Sequence, residues 1–379
     1  GILNPGNPEI SYYYPTNDLV TAPEILFFWV ARMIIAGYEY QGERPFSNVY
    51  LTGIVRDKLR RKMSKSLGNS PDPLDLIAKY GADSVRVAMM LCSSAGNDII
   101  WDESLIEQGR NFGNKIWNSF RLIKMWDTPE GASLPQPESA RVAVEWFGAK
   151  LAATVAEIDE HFAAFRISDA LMSLYRLFWD DFSGWYLEMV KPAYGTPMDA
   201  VTYRATIGYF EQLLQQLHPY MPFITEEIWH YIADRGPQES IMVSRYVPQS
   251  VTASGARLVD RFELVKEIVG GIRNVRKSKN IAPKEPLAML YVSDENYPSE
   301  FASILTKMGN LSSVAALASG SEKPTGASTF IVKTTEYLLP LGDLVQVDAT
   351  AERARIEKEL EYMRGFLSSV EKKLSNERF

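Results

Sequence analysis

One cysteine, Cys92, stands in 379 residues. That excludes an internal disulfide framework and suits a reducing compartment such as the cytoplasm. Histidine is scarce too: His161, His218 and His230, without spaced cysteines, offer no zinc pattern, so no metal site is expected and all three are read as structural. No apolar run approaches the roughly 20 residues that cross a bilayer. Leu26-Phe27-Phe28-Trp29-Val30 is far too short, so no membrane partner is expected. The opening Gly1-Ile2-Leu3-Asn4-Pro5-Gly6 lacks an initiator methionine, a charged n-region and an apolar h-region, and reads as the edge of an excised piece. Positive charge is in deficit, with 40 Lys and Arg against 47 Asp and Glu. A net charge of −7 argues against a general nucleic-acid coat but leaves local basic clusters free to meet a defined RNA.

What is present says folded. Hydrophobic residues make up 46% and there are eight tryptophans, enough to bury the cores of two to four domains at this length. The most informative stretch is Lys62-Met63-Ser64-Lys65-Ser66, preceded by Arg56-Asp57-Lys58-Leu59-Arg60-Arg61 and followed by Leu67-Gly68-Asn69-Ser70. Two lysines three apart, hydroxyls between and after them and a glycine close behind suit a loop that closes on phosphate. A solvated basic turn is the plain alternative. A Walker loop is excluded, because its glycine-rich lead-in and its Gly-Lys-Ser/Thr ending are both missing.

The surrounding pattern gives the loop a setting. Leu19-Val20-Thr21 reads as a short buried strand, Pro23 opens a helix over 24–37, and Phe46 to Val55 reads as a second strand ending in a glycine turn. Strand, helix, strand and loop make half of a doubly wound sheet. Asp72-Pro73-Leu74-Asp75 is a strong helix start, with Gly81 placed to end that helix. Asp102 caps a long helix over 103–125, and further helices follow near 140–162, 168–190 and 200–217. Residues 128–139 read as a connector. Leu287 to Val292 and Phe330 to Thr334 read as strands of a small mixed domain, with a turn near Gly320. Ile356, Leu360, Met363, Leu367, Val370 and Leu374 form a heptad seam. The fold class is therefore mainly α with α/β parts.

The pentamer matches letter for letter the signature loop of class I aminoacyl-tRNA synthetases. Val49 to Asp57 and Ser70 to Asp75 are similar to the valyl-tRNA synthetase family in particular. The resemblance implies the second half of a Rossmann-type catalytic domain over 1–70 and a stem-contact connector over 71–105. It further implies a helical anticodon-binding domain over 106–250, a small α/β junction domain over 258–350 and the first helix of a truncated coiled-coil arm over 351–379. Lys65, supported by Lys62, would stabilise charge on departing pyrophosphate, with Ser64, Ser66, Ile54 and Val55 beside the nucleotide. Glu24 would hold the ribose; the family's usual Gly-x-Asp is here Ala22-Pro23-Glu24, which removes the glycine and lengthens the acid. Ile25 and Trp29 would size a valine pocket, or else form an ordinary core stripe. Arg110, Asn114 and Lys115, Arg86, and the cluster Arg273, Arg276 and Lys277 would meet tRNA, or lie on solvated faces. Thr225 would cap the last helix of the bundle.

The resemblance also implies substrates and partners: ATP carrying Mg2+, valine and the valine tRNA, with no metal held by protein alone. The parent is expected to be monomeric, while the seam in 351–379 invites self-association. Neither the family's His-Ile-Gly-His signature nor its editing domain has a counterpart here, so the chain by itself is expected to be inactive. An isoleucine or leucine ligase, or a non-catalytic tRNA-binding module, are the alternatives.

Overall fold

The computed structural model describes residues 6–93, 97–126, 128, 134–247, 250–292, 294, 296–318, 320–342 and 349–374. Residues 129–133 of the expected connector at 128–139 lie outside these residues. The chain divides into two compact units, Gly1–Glu263 and Leu264–Phe379.

The first unit opens with a short helix α1 (Pro8–Tyr13) and strand β1 (Thr16–Thr21), which pairs in parallel with β2 (Phe46–Leu51), Thr16 opposite Phe46 and Thr21 opposite Leu51. Between the strands the chain winds unevenly. Pro23–Ile25 is a tight 3-10 turn, Leu26–Val30 a wide π turn, and α2 (Ala31–Gln41) a regular helix stopped by Gly42 in the left-handed region. The strand–helix–strand unit is as expected, but β1 is not buried. Val20 is 63% exposed, and Phe27, Trp29 and Ile35 on the crossover are also open to solvent. An apolar face of this kind is built to be covered.

The second strand stops sooner than expected. After Thr52-Gly53-Ile54 the chain resumes as β3 (Val55–Arg56), which pairs in parallel with β4 (Ile99–Ile100). Gly53 makes the passage possible, since a Cβ there would sit 1.7 Å from the carbonyl oxygen of Asn97. Helix α3 (Pro73–Tyr80) begins as its sequence dictates, the Asp72 carboxylate accepting the Leu74 amide at 2.8 Å, and Gly81 ends it. Helices α4 (Ala82–Cys92) and α5 (Ser104–Lys124) follow, the latter capped by Asp102 through the Ser104 amide. Leu76, Tyr80, Ala88, Trp101 and Ile106 form one core cluster, against which Val55 and Met63 pack. Helices α4 and α5 meet backbone to backbone at Gly109, where a Cβ would lie 2.6 Å from the Ser84 carbonyl oxygen.

The bundle continues with α6 (Glu138–Ala163) and α7 (Ile167–Arg176). A long π-wound stretch over Leu177–Tyr186 leads into α8 (Leu187–Val190), then α9 (Ala200–Leu217) and α10 (Pro222–Ile232). Phe178, Phe182 and Tyr186 are fully buried and stack on Phe147 and Phe210, the expected bundle core. One expectation fails here. Thr225 does not cap α10: it lies inside the helix, buried, its hydroxyl donating to the Met221 carbonyl and paired with His218 Nδ1. Arg86 is exposed yet already engaged within the protein. Its guanidinium donates to the carbonyls of Tyr220 and Pro219 at 3.1 and 2.8 Å and ties α4 to the α9–α10 corner.

Helix α11 (Ala253–Ser278) carries the chain into the second unit. There a four-stranded sheet has the order β6-β5-β8-β7, with β5 (Leu287–Val292) parallel to β6 (Leu311–Leu317) through α12 (Ala302–Gly309). β7 (Ala327–Val332) and β8 (Thr335–Pro340) complete it as a hairpin turning at Lys333, φ 55°. Two strands were expected and four are present. Arg276, expected in a basic cluster facing RNA, is instead buried, donating to the carbonyls of Ala282, Glu285, Gly309 and Asn310. Helix α13 (Ala349–Leu374) presents Ile356, Leu360, Met363 and Leu367 to solvent, half-exposed or more, without a second helix against them among the described residues. The Leu374 side chain lies outside those residues.

Two substitutions test this packing. Gly109→Ala should destabilise the first unit by about 1–3 kcal/mol, because two buried backbones must part. Arg276→Ala should cost at least about 3 kcal/mol, since several buried carbonyls lose their donor at once, whereas exposed Lys277→Ala should cost little. Urea unfolding followed by tryptophan fluorescence reads the first, and amide exchange across β5 and β6 reads the second.

Candidate active site

The signature loop is held by its charges and by one methionine. Arg56 pairs with Asp98, Lys58 with Asp102 at 3.3 Å, Arg61 with Asp57 at 2.7 Å and Lys62 with Glu24 at 3.1 Å. Lys65 is exposed and makes no ion pair among the described residues, and the same holds for Arg60, which occupies the left-handed region at φ 61°. Met63 points the other way, into the core formed by α3, α4 and α5.

Between these anchors the backbone follows a fixed path. Arg56 and Lys62 form an antiparallel bridge that closes the basic turn. The Asp57 carboxylate accepts from the amides of Leu59 and Arg61, from the Arg61 guanidinium and from the Asn69 side chain. Those donors, Asn69 first, hold its carboxyl down at about 2, against the opposing effect of its surroundings. Asn69 Oδ1 accepts the Ser64 amide at 2.9 Å, and Lys65–Leu67 makes one 3-10 turn ended by Gly68 at φ 61°. The Ser64 and Ser66 hydroxyls share a 2.6 Å hydrogen bond with each other. Asp98 is lowered mainly by Arg56, and Asp102 by the Ser104 amide before Lys58.

The residues singled out from sequence therefore fall into three groups. Glu24, Lys62, Ser64, Lys65 and Ser66 do come together, with Glu24 and Lys62 in direct contact across the loop. Ile54 and Val55 lie at the root of the loop: the Ile54 carbonyl accepts the Ile99 amide, and the Val55 side chain packs on the core. Ile25 and Trp29 form no enclosed pocket. Both are exposed, at 42% and 56%, and the switch from 3-10 to π winding between them breaks the regular turn that their spacing implied. A cavity of about 570 Å³ does open nearby, but it is lined by Val20, Tyr50, Gly53, Met89 and Phe165.

On the bundle, Arg110 and Asn114 share a groove with Tyr80, Trp117, Phe223 and Glu227, and Arg110 lies over the Tyr80 ring at 5.5 Å. Lys115 is turned away from that groove and sits 5.4 Å over the ring of Trp179. Five residues carry it to another face of the helix. In the second unit Arg273 and Lys277 are exposed while Arg276 is not. Sequence reasoning missed the acidic residues that answer the basic run, and it missed Asn69. Asp57, four residues before Arg61, was the one visible signal.

The loop and helices can now be set beside known proteins. Residues 2–102 match the model of the class I tRNA synthetases for I, L, M and V, and residues 144–291 that of the anticodon-binding domain of tRNA ligases. A valine–tRNA ligase of Phocaeicola vulgatus is 58% identical over the whole chain, one of Christiangramia forsetii 53% and one of Enterococcus faecalis 37%. The chain spans 42%, 42% and 43% of the length of these relatives. Identity at this level favours the valine type over an isoleucine or leucine sibling. Over its whole length, this chain belongs to the valyl-tRNA synthetase family of class I aminoacyl-tRNA synthetases.

Proposed function

We propose that the chain is the part of an ATP-dependent valine–tRNA ligase that supplies the signature loop and a tRNA-binding bundle. The observation that carries this is Lys65. Of the six cations from Arg56 to Lys65, only Arg60 and Lys65 are exposed and without an ion pair among the described residues, and Lys65 is the one whose backbone is pinned by the Asn69–Ser64 bond and the 3-10 turn ended by Gly68. A free ammonium on a fixed base suits charge that develops on a leaving pyrophosphate, which is electrostatic stabilisation without a covalent step. Lys62 assists once ATP displaces it from Glu24, and that carboxylate then accepts from the ribose hydroxyls. Ser64 and Ser66 offer donors to phosphate oxygens. Mg2+ would arrive on the phosphates of ATP, screening their charge. Ile25 and Trp29 would line a valine pocket only when the open face of α2 is covered, and the remaining length of the relatives offers such cover. Such a pocket separates valine from isoleucine by volume and rejects threonine weakly.

The bundle reading rests on the groove holding Arg110 and Asn114, with Lys115, Arg273 and Lys277 as further exposed or half-exposed polar groups. The 1–70, 71–105, 106–250, 258–350 and 351–379 divisions stand as the catalytic half, connector, anticodon-binding bundle, junction domain and arm of such an enzyme. The parent works as a monomer, and this chain self-associates through the exposed seam of α13. Its place of action is the cytoplasm; among the described residues no helix is long and apolar enough to cross a membrane.

Filter binding to the valine tRNA and to a non-cognate tRNA, at low and moderate salt, tests the reading. A preference for the valine tRNA that persists at moderate salt is expected; equal binding to both, erased by salt, would sink it. The chain by itself should show no valine-dependent ATP–pyrophosphate exchange. In the full-length ligase, Lys65→Ala should slow adenylate formation by about 10²–10³-fold.

A further inference from the structure

The Asn69 side chain spans the loop from behind. Its Nδ2 donates to Asp57 Oδ2 at 2.9 Å and to the Lys62 carbonyl at 3.3 Å, while its Oδ1 accepts the Ser64 amide at 2.9 Å. One side chain thus engages both residues that flank Met63, directly before Lys65. Asp57 holds Asn69 in that orientation and spends its remaining acceptor capacity on the amides of Leu59 and Arg61 and on the Arg61 side chain. Gly68, in the left-handed region, returns the chain so that residue 69 can reach residue 64. All of these bonds are made within residues 57–69.

We propose that Asn69, oriented by Asp57, is a positioning residue that fixes the backbone at Ser64 and thereby sets where the Lys65 ammonium is presented. The inference rests on the reading of this loop as a phosphate-binding element, and it deepens that reading by naming what aims the lysine. Replacement by alanine removes three hydrogen bonds at one point. Replacement by aspartate is worse, because two carboxylates then face each other and the donor to Asp57 is gone. Exchanging the pair, Asp57→Asn with Asn69→Asp, restores one donor and one acceptor across the bracket while keeping its net charge.

The test is amide hydrogen exchange on the 379-residue chain, with global stability measured in parallel by urea unfolding. Exchange at Ser64 should quicken about tenfold in Asn69→Ala, as expected for one lost hydrogen bond. It should quicken further in Asn69→Asp, and return most of the way in the exchanged pair. Exchange in α5 should stay unchanged throughout. Unaltered Ser64 protection in Asn69→Ala, or an exchanged pair no better protected than Asn69→Asp, would overturn the proposal. A second arm titrates inorganic pyrophosphate and follows the lysine side-chain resonance of Lys65. A wild-type resonance that does not move counts against the phosphate reading alone, and the exchange data still decide the role of Asn69. A resonance that moves in wild type and in the exchanged pair, but less in Asn69→Ala, supports both.

Discussion

A stretch that packs six cations into ten residues cannot hold one shape unless most of them are answered. At separations near 4 Å, like charges repel by about 1 kcal/mol in water and by several times that near a protein surface. The fold answers four of the six with carboxylates drawn from four places: Glu24 before the π turn, Asp57 inside the loop, Asp98 before β4 and Asp102 at the cap of α5. Exposed pairs of this kind contribute about 0.2–1 kcal/mol each, so their main effect is on shape rather than stability. They decide which cations are spent in holding the loop and which remain to meet a ligand. Lys65 remains.

The same loop is coupled mechanically to the bundle, through packing rather than charge. Met63 enters the core shared by α3, α4 and α5, and α4 in turn holds the α9–α10 corner at two points. Its Asp83 carboxylate accepts the amides of Ile224 at 2.8 Å and Phe223 at 3.3 Å, capping α10 from a different element. Burial nevertheless pushes Asp83 up, with the two amides and Arg86 opposing it. One turn later Arg86 satisfies the carbonyls of Pro219 and Tyr220. Side chains of α4 thus supply both the donors and the acceptors that the corner between α9 and α10 lacks. The signature loop and the helical bundle are joined by contiguous packed contacts, which is the physical precondition for coupling between them.

How much of this was legible in the residues depends on how local its cause is. Asp72, Pro73 and Asp102 announce their helices because capping acts over two or three residues, and the bundle core shows itself through apolar spacing. The pentamer and Glu24 were legible as chemistry, although their contact across 38 positions was not. Arg276 and Thr225 were misread for one shared reason. A basic or hydroxyl side chain on a helix looks the same in sequence whether it faces water or a row of unsatisfied carbonyls. Only the tertiary partner decides. β6 was missed because Leu311–Leu317 is rich in Ala and Ser, and pairing with β5 overrides that weak strand preference. The exposure of Val20 and Trp29 has no local signature at all.

The fixed backbone also gives a reason for lysine, rather than arginine, at position 65. An arginine at position 65 would bring a planar fork suited to bidentate grip, with carboxylates such as Glu24 within the same loop system to grip instead of phosphate. Lysine presents a compact ammonium on four rotatable methylenes and keeps its hydration while it waits. The cost of ordering is then confined to the side chain, because the backbone at Ser64, Lys65 and Gly68 is already set by Asn69, the 3-10 turn and the left-handed glycine. Immobilising one long side chain costs about 0.5–1.5 kcal/mol, whereas ordering a free five-residue loop would cost about 1–2 kcal/mol per residue. On the proposed reading, a prefixed backbone would leave most of the electrostatic gain from phosphate available for the step in which charge grows.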